Sequence, residues 1–583
     1  MGAIYGFTGA PDTRLARSLC DSLAHRGVPD YGCSQQPTGT IGRLAHTDQD
    51  TDDTRGAGLL QDGELVIAVA GFLTCEQGSG GLRRLLSAYR REGLSFVSRL
   101  RGDFVLAILD GATLHLARDG AGARTVYYGR HDGRFLFGVE PKAIWQVPGF
   151  ARRLRPAALA QYLTFSFVPG EGTMLEDVFE LPAGHTVTLQ PDGQARLSRY
   201  FVFEDIEPAD ERSGEPDQFW IDRFRDEFGR SVADRMPRRD DPVVFLSGGL
   251  DSSVVTAEVA RQSQRPVRTF ALHFGQHYSH ELDYAAAVAR QCGTRHEEVL
   301  IRPHDFLPRL RRMIWHLDDP IGDPITMPNF ELAQHAAPYS RRVFNGEGGD
   351  PCFGGPKNIP MLLSHWYGGI ARDDRFRERA YLASYRRGYE EVSRLLTPDW
   401  RRQIDEQQDL EQVIRPFFEA ARPSRFLDKL TSINIRLKGA HLILPKVERM
   451  MGAAGIVPLS PLFSAEMVRF SYQLPSRLKL FGGVEKVVLK RAYADQLPAE
   501  VIARPKSGMR VPVHFWFRGE LKRYARKILN RRQLKRTGMF DPQRVKQLLD
   551  YNTQEGPGRY GIRLWMLITL EIWRRIVVEG ESP

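Results

Sequence analysis

The segment LSGGLDSS, residues 246–253, concentrates groups that handle phosphate. Two adjacent glycines, Gly248 and Gly249, let the backbone turn tightly and come close to a ligand. Ser247, Ser252 and Ser253 add hydroxyl donors. The helix predicted to follow would present free N–H groups and the positive end of its dipole. Together these make a cradle for phosphate oxygens. Asp251 inside it makes no sense as a direct phosphate ligand, because like charges repel. It makes sense as a ligand of a magnesium ion that carries those phosphates. A plain glycine turn before a helix accounts for the glycines and one serine, but not for an acid together with three serines. The loop is not a Walker P-loop, since the chain has no G-x-x-x-x-G-K-[ST].

A second acidic loop, NGEGGD at 345–350, follows the short apolar run RRVFN. Gly346, Gly348 and Gly349 predict a tight turn at the C-terminal edge of the same sheet, where open α/β sheets place ligands. Asp350 would there face Asp251 across the magnesium. Two carboxylates plus phosphate oxygens suit that ion's octahedral, oxygen-only preference. Taken alone, the loop reads equally as a capped turn. Glu347 can position an attacking amine or take its proton, or serve as a structural carboxylate.

The elements that must hold these loops alternate. DPVVFL (241–246) reads as a buried strand, SSVVTAEVARQ as a helix, VRTFALHF (267–274) as a strand, and HELDYAAAVARQCG (280–293) as a helix ending at a glycine. Strand–helix alternation predicts a parallel sheet with helices on its faces. From about residue 360 the pattern is mostly helical, with loops expected around 445–461 and 504–512. The first 200 or so residues differ. ELVIAVAGF (64–72), DFVLAILD (103–110), TLHLARD (113–119), TVYYGR (125–130) and RFLFGVE (134–140) read as strands between tight turns, predicting sheet packed on sheet. The acidic FEDIEPADERSGEPDQ (203–218) carries two prolines and reads as a linker.

Composition sets the outer limits. The chain has 583 residues, 42% hydrophobic and 26% charged, which is ordinary for a globular protein. Five cysteines without a C-x-x-C pair show no zinc or redox motif and suit a reducing compartment. No signal peptide is visible and no apolar run reaches about 18 residues, so a cytoplasmic protein with no membrane partner is expected. The net charge of +10 favours acidic partners or simply keeps the surface soluble. The basic stretch KRYARKILNRRQLKR (522–536) reads as a solvated helix face, without the aromatic platform that single-stranded nucleic acid needs, so no nucleic-acid partner is expected.

LSGGLDSS resembles the pyrophosphate loop of the N-type ATP pyrophosphatases, which split ATP between the α and β phosphates. Further segments extend the likeness: AHRGVPD (24–30), LARDGAGARTVYYG (116–129), LPAGH (181–185), LDDPIGDP (317–324), FNGEGGDPCFGG (344–355), LPKVERM (444–450) and ARPKSGMRVP (503–512). In this order, and over nearly the whole chain, they resemble the asparagine synthetase family. The resemblance implies an α/β fold overall. An N-terminal β-rich sandwich of the Ntn amidotransferase type would span 1–202, and the linker 203–218. An α/β ATP-pyrophosphatase domain with a helical extension would span 219–583. ATP and Mg2+ are the implied cofactors. Leu246, Ser247, Gly248, Gly249, Leu250, Asp251, Ser252, Ser253, Leu272 and Gly346 are the implied nucleotide contacts, with Ala271 and Phe274 beside the base. Asp251 and Asp350 are the implied metal ligands. Lys506, otherwise readable as a surface lysine, matches the catalytic lysine, which stabilises developing negative charge.

The departures from the family are as informative. The glutaminase reaction needs a cysteine after the initiator methionine, where its own amine serves as base; here Gly2 stands. The Asn-Gly-Glu segment that grips glutamine aligns with Ala70-Gly71-Phe72, and Arg26 of the HRG motif is expected to have lost its partners. An inactive first domain is therefore expected. In many family members the segment after K-V-D-R-M carries a Glu-x-Arg that shapes the aspartate site. Here KVERM is followed by Val457 and Leu459 at those positions, which suits a more neutral substrate than a free amino acid. Two branches of the family lack the cysteine. In the β-lactam and carbapenam synthetases the glutamate role is rearranged, whereas Glu347 here sits in an ordinary loop. The lasso peptide cyclases adenylate an Asp or Glu side chain of a precursor peptide, which its own N-terminal amine then attacks. The sequence points to this second branch, with a precursor peptide, a leader-binding protein and a leader peptidase as expected partners. An ammonia-dependent asparagine synthetase and a β-lactam synthetase-like ligase are the alternatives.

Overall fold

In the computed structural model the described residues are 2–45, 58–73, 81–206, 214–238, 240–355, 358–368, 375–384, 393–405, 410–505, 508–550 and 557–583. Among these residues, twelve strands build the N-terminal half: β1 (Ala3–Thr8), β2 (Val28–Gln36), β3 (Gly39–Ala45), β4 (Gly58–Asp62), β5 (Leu65–Leu73), β6 (Gly102–Asp110), β7 (Thr113–Arg118), β8 (Tyr127–His131), β9 (Arg134–Gly138), β10 (Val178–Glu180), β11 (His185–Leu189) and β12 (Ala195–Arg199). They form two six-stranded antiparallel sheets, in the orders β10-β8-β9-β1-β3-β2 and β12-β11-β7-β6-β5-β4. Ile4, Ile41, Val66, Ala68, Val105 and Ala107 fill the space between them.

The sandwich expected from the sequence is present, and helices cover its outer faces. Thr13–Ser22 lies over β1 and β3, and Gly81–Glu92 over the second sheet. This explains why β5 is apolar without alternation. Val66 and Ala68 point into the sandwich, while Ile67, Val69 and Leu73 lie with Leu85 and Leu86 of the covering helix. Successive side chains leave a strand on opposite faces, and here both faces are dry.

The C-terminal half is organised by a parallel sheet of five strands: β13 (Val243–Phe245), β14 (Arg268–His273), β15 (Arg295–Leu300), β16 (Arg342–Phe344) and β17 (Val457–Leu459). Their order is β15-β14-β13-β16-β17, with every pairing parallel. The chain builds outward from β13 in one direction, then returns to build β16 and β17 on the other side. β13 and β16 thus flank the point where the winding reverses, which is where such sheets open a crevice at their C-terminal ends. Two strands differ from the sequence reading. β15 is the polar RHEEVL on one edge, where most of its residues stay exposed or half-buried. β17 lies on the other edge and includes Pro458, whose missing N–H an edge tolerates. It lies inside the stretch expected to be a loop, as does the helix Leu444–Gly452. The final helix, Pro557–Val577, buries Leu564, Trp565, Leu567, Ile568 and Trp573 in the core. Among the described residues, no helix is long and apolar enough to cross a membrane.

The two halves meet along a buried ionic seam. Arg26 is 1% exposed, bonds Glu140, and donates to Glu448 of the KVERM segment at 2.7 Å. Thr125 donates to the other Glu448 oxygen at 3.0 Å, and Lys142 pairs with Asp318 at 2.7 Å. Arg118 donates to the Ala440 carbonyl at 3.0 Å. Arg26 therefore has partners, contrary to the sequence expectation: Glu140 lies in the same domain and Glu448 in the second half of the chain, and the local motif reveals neither.

Candidate active site

The loop after β13 is shaped by its own side chains. Ser252 Oγ accepts from the Ser247 N–H at 3.1 Å and lies 3.0 Å from Ser247 Oγ, while Ser253 Oγ donates to the Gly249 carbonyl at 2.8 Å. Gly248 has φ +82°, and a Cβ there would meet the Glu281 carbonyl at 2.5 Å, so only glycine serves. Leu250 opens the helix Leu250–Gln262, which places Asp251 in its first turn. Leu246 donates its N–H to the Phe270 carbonyl of β14 at 2.9 Å, tying the loop to the neighbouring strand. Leu272 is half-buried near the C-terminal end of β14.

The loop after β16 lies directly on the first. A Cβ on Gly346 would meet the Ser252 backbone nitrogen at 2.5 Å, and one on Gly349 would meet Asp251 Oδ1 at 2.2 Å. These glycines let two loops on adjacent strands touch backbone to backbone. Asp251 and Asp350 are thereby brought together, and the group joining them is Lys486. Its Nζ lies 2.8 and 2.6 Å from the two Asp251 oxygens and 2.5 Å from Asp350 Oδ1. Lys486 is 1% exposed. A cation already sits between the two carboxylates, which fits the donor set proposed for magnesium: two aspartates, with phosphate oxygens to complete the shell. Magnesium bound there would neutralise phosphate charge.

The sequence reading missed Lys486, although its position was signalled. Leu480–Phe481 pairs with Val484–Glu485 through Gly482 and Gly483, both at positive φ. Such a pair forms a two-residue hairpin turn. Lys486 comes immediately after it, at φ +55°. Two further polar contacts were also missed. Arg504 donates to the Gly248 carbonyl at 3.0 Å, pairs with Glu281, and lies over the Tyr284 ring at 4.1 Å. It anchors the start of the RPKSG segment to the first loop; Lys506 lies outside the described residues. Lys446 pairs with Asp323 at 3.1 Å. Burial pulls the Lys446 ammonium down, but Asp323 and then Glu347 outweigh it and leave its pKa raised. Glu347 thus belongs to a half-buried charge cluster around Lys446 beside the second loop, its N–H held by Asn345 Oδ1 at 3.0 Å.

Other expected positions fall elsewhere. Leu459 is fully buried within β17 and Val457 is half-buried, so Leu459 lines no open pocket. In the first domain, Gly71 has φ +99° and Phe72 is 4% exposed, packed in a core with Phe201, Phe203 and Trp220. Ala70 is buried between the sheets.

A parallel sheet with two glycine-rich acidic loops at its switch point, joined to a two-sheet sandwich, defines an ATP pyrophosphatase coupled to an amidotransferase-type domain. Comparison with known proteins agrees. Residues 223–575 match the family model for asparagine synthase, and residues 80–201 match that for a glutamine amidotransferase domain. The chain is 26% identical to asparagine synthetase [glutamine-hydrolyzing] 1 of Bacillus subtilis over 85% of its own length and 80% of that protein. It is 27% identical to a putative asparagine synthetase of Mycobacterium tuberculosis, covering 85% and 79%. It is 25% identical to the carboxyethyl-arginine beta-lactam-synthase of Streptomyces clavuligerus, covering 73% and 67%. The chain belongs to the asparagine synthase family and is an ATP-dependent carbon–nitrogen ligase.

Proposed function

We propose that this ligase is a lasso peptide cyclase. It would adenylate an Asp or Glu side-chain carboxylate of a precursor peptide and join it to the peptide's N-terminal amine, releasing AMP and pyrophosphate. The observation that carries this reading is a contrast within one chain. The paired acidic loops are intact, while the position that grips glutamine in relatives is closed by buried Phe72. A ligase that draws no ammonia from glutamine must take its nitrogen from elsewhere, and the substrate's own amine is the economical source.

In this mechanism Ser247, Gly248, Gly249, Ser252 and Ser253 hold the departing pyrophosphate, with Asp251 and Asp350 as the sites for Mg2+. Lys486 holds the two carboxylates in register and contributes positive charge beside the phosphates. Glu347 accepts the proton from the attacking amine. Lys506 stabilises charge on the reacting phosphoryl and acyl groups. Holding amine and acyl group in one molecule supplies proximity, which can be worth about 7 kcal/mol or more. The peptide would be delivered by a leader-binding protein and trimmed by a leader peptidase.

The test is mass spectrometry of a candidate precursor peptide incubated with ATP, Mg2+ and the protein. Loss of one water, with AMP formed, supports cyclisation. An unchanged peptide, alongside asparagine formed from aspartate and ammonium, would return the chain to the ammonia-dependent synthetases. The similarity to a beta-lactam-synthase favours a second reading, closure of a small ring by an amine of the same substrate.

A further inference from the structure

A second charged cavity, of about 600 Å³, lies between the two halves of the chain and includes none of the residues of the two acidic loops. Five arginines line it against two glutamates. Two of these arginines are already matched: Arg99 by Glu92 at 2.5 Å and Arg230 by Glu227 at 2.8 Å. Arg101, Arg223 and Arg469 have no carboxylate partner among the described residues.

Two of those three are held in place. The Arg469 guanidinium lies 4.7 Å from the centroid of Phe201, and that of Arg223 lies 5.8 Å from Phe470. Both rings are buried. A guanidinium resting on a ring keeps its N–H edge available and loses less freedom when it meets an oxyanion. Three cations without counter-charge in one concavity raise the local potential and favour an acidic ligand. The shape of that ligand follows from the two glutamates. Glu227 and Glu466 interrupt the arginines and repel a compact polyanion. An extended chain can space its carboxylates to meet the arginines and pass the glutamates.

We propose that this cleft binds an acidic peptide segment in extended form, through carboxylate side chains on Arg101, Arg223 and Arg469. The proposal does not rest on the reading of the ATP site, and its test reads binding alone.

The experiment is fluorescence anisotropy on the full chain with a fluorescein-labelled octapeptide alternating glutamate and glycine. Saturable binding is expected. It should weaken with added salt, as exposed ion pairs do. Arg101→Glu and Arg469→Glu should each weaken it about tenfold or more, as expected for loss of a charge-assisted bond. Arg101 is exposed, so its replacement leaves the fold intact, and thermal melting checks this for both variants. The proposal is overturned by absence of saturable binding, by equal binding of a lysine–glycine octapeptide, or by unchanged binding in both folded variants. Displacement of the peptide by equimolar inorganic phosphate would also overturn it, by assigning the cleft to a compact anion.

Discussion

Two strands in this chain, β5 and β13, carry the segments to which the family resemblance assigns glutamine and phosphate contacts, and they finish in opposite ways. β5 runs into Ala70, Gly71 and Phe72 and closes in apolar core. β13 runs into Ser247, Gly248 and Gly249, where hydroxyls, a buried aspartate and a buried lysine meet at an open loop. The first domain keeps its sheets because sheet packing needs only apolar faces. A catalytic site needs polar groups held at the edge of the core, and the two acidic loops of the second domain hold them there. The first domain also meets the second through Arg26, Glu140 and Glu448.

The contrast breaks most easily at Asp251. Asp251→Asn should lower ATP–pyrophosphate exchange by on the order of a thousandfold and, because it weakens the pair with buried Lys486, also lower the melting temperature while leaving the protein folded. Exchange near the wild-type rate would remove the acidic loops from the chemistry. Lys486→Met should abolish exchange and also destabilise the fold. Breaking a buried pair costs about 3–5 kcal/mol, and the lower end applies because the Asp350 side chain is 45% exposed. Chemical denaturation reads the stability part.

Gly349→Ala addresses loop contact alone. Its Cβ would meet Asp251 Oδ1 at 2.2 Å, and the resulting shift should cost about a hundredfold in exchange with the fold retained. On the other side of the comparison, Phe72→Ala should cost about 3–5 kcal/mol of stability and create no glutaminase activity. Glutamate release from glutamine by this variant would show that the first domain had only been blocked.

The smallest effect lies at the seam. Burial pushes the Asp319 carboxyl from 3.8 up to about 7, even though the Met174 N–H donates to it. Between those values the folded state holds a proton that the unfolded state has lost, so this group makes stability fall as pH rises from about 4 to 7. Asp319→Asn cannot ionise, and its advantage over the wild type in urea midpoint should grow across the same window. A constant difference would contradict the assignment.

Much of this was legible in the sequence because it is local. LSGGLDSS and NGEGGD each follow an apolar strand and carry their glycines where the turn requires them. The parallel sheet followed from alternation. β15 and β17 were hidden because edge strands need neither apolar faces nor a full set of N–H donors. Lys486 was hidden because its role exists only in three dimensions: it is 235 positions from Asp251, and nothing in GGVEK says where its ammonium ends. Arg26 is a similar case, since its partner Glu448 lies 422 positions away. Leu459 misled for the opposite reason, since a position read as pocket lining is the interior of a strand.

The most direct measurement is ATP–pyrophosphate exchange with Mg2+, comparing a candidate precursor peptide with free L-aspartate. Exchange that requires the peptide and disappears in Asp251→Asn is the predicted result. Exchange with aspartate alone, or exchange with the peptide that survives Asp251→Asn, would contradict the account.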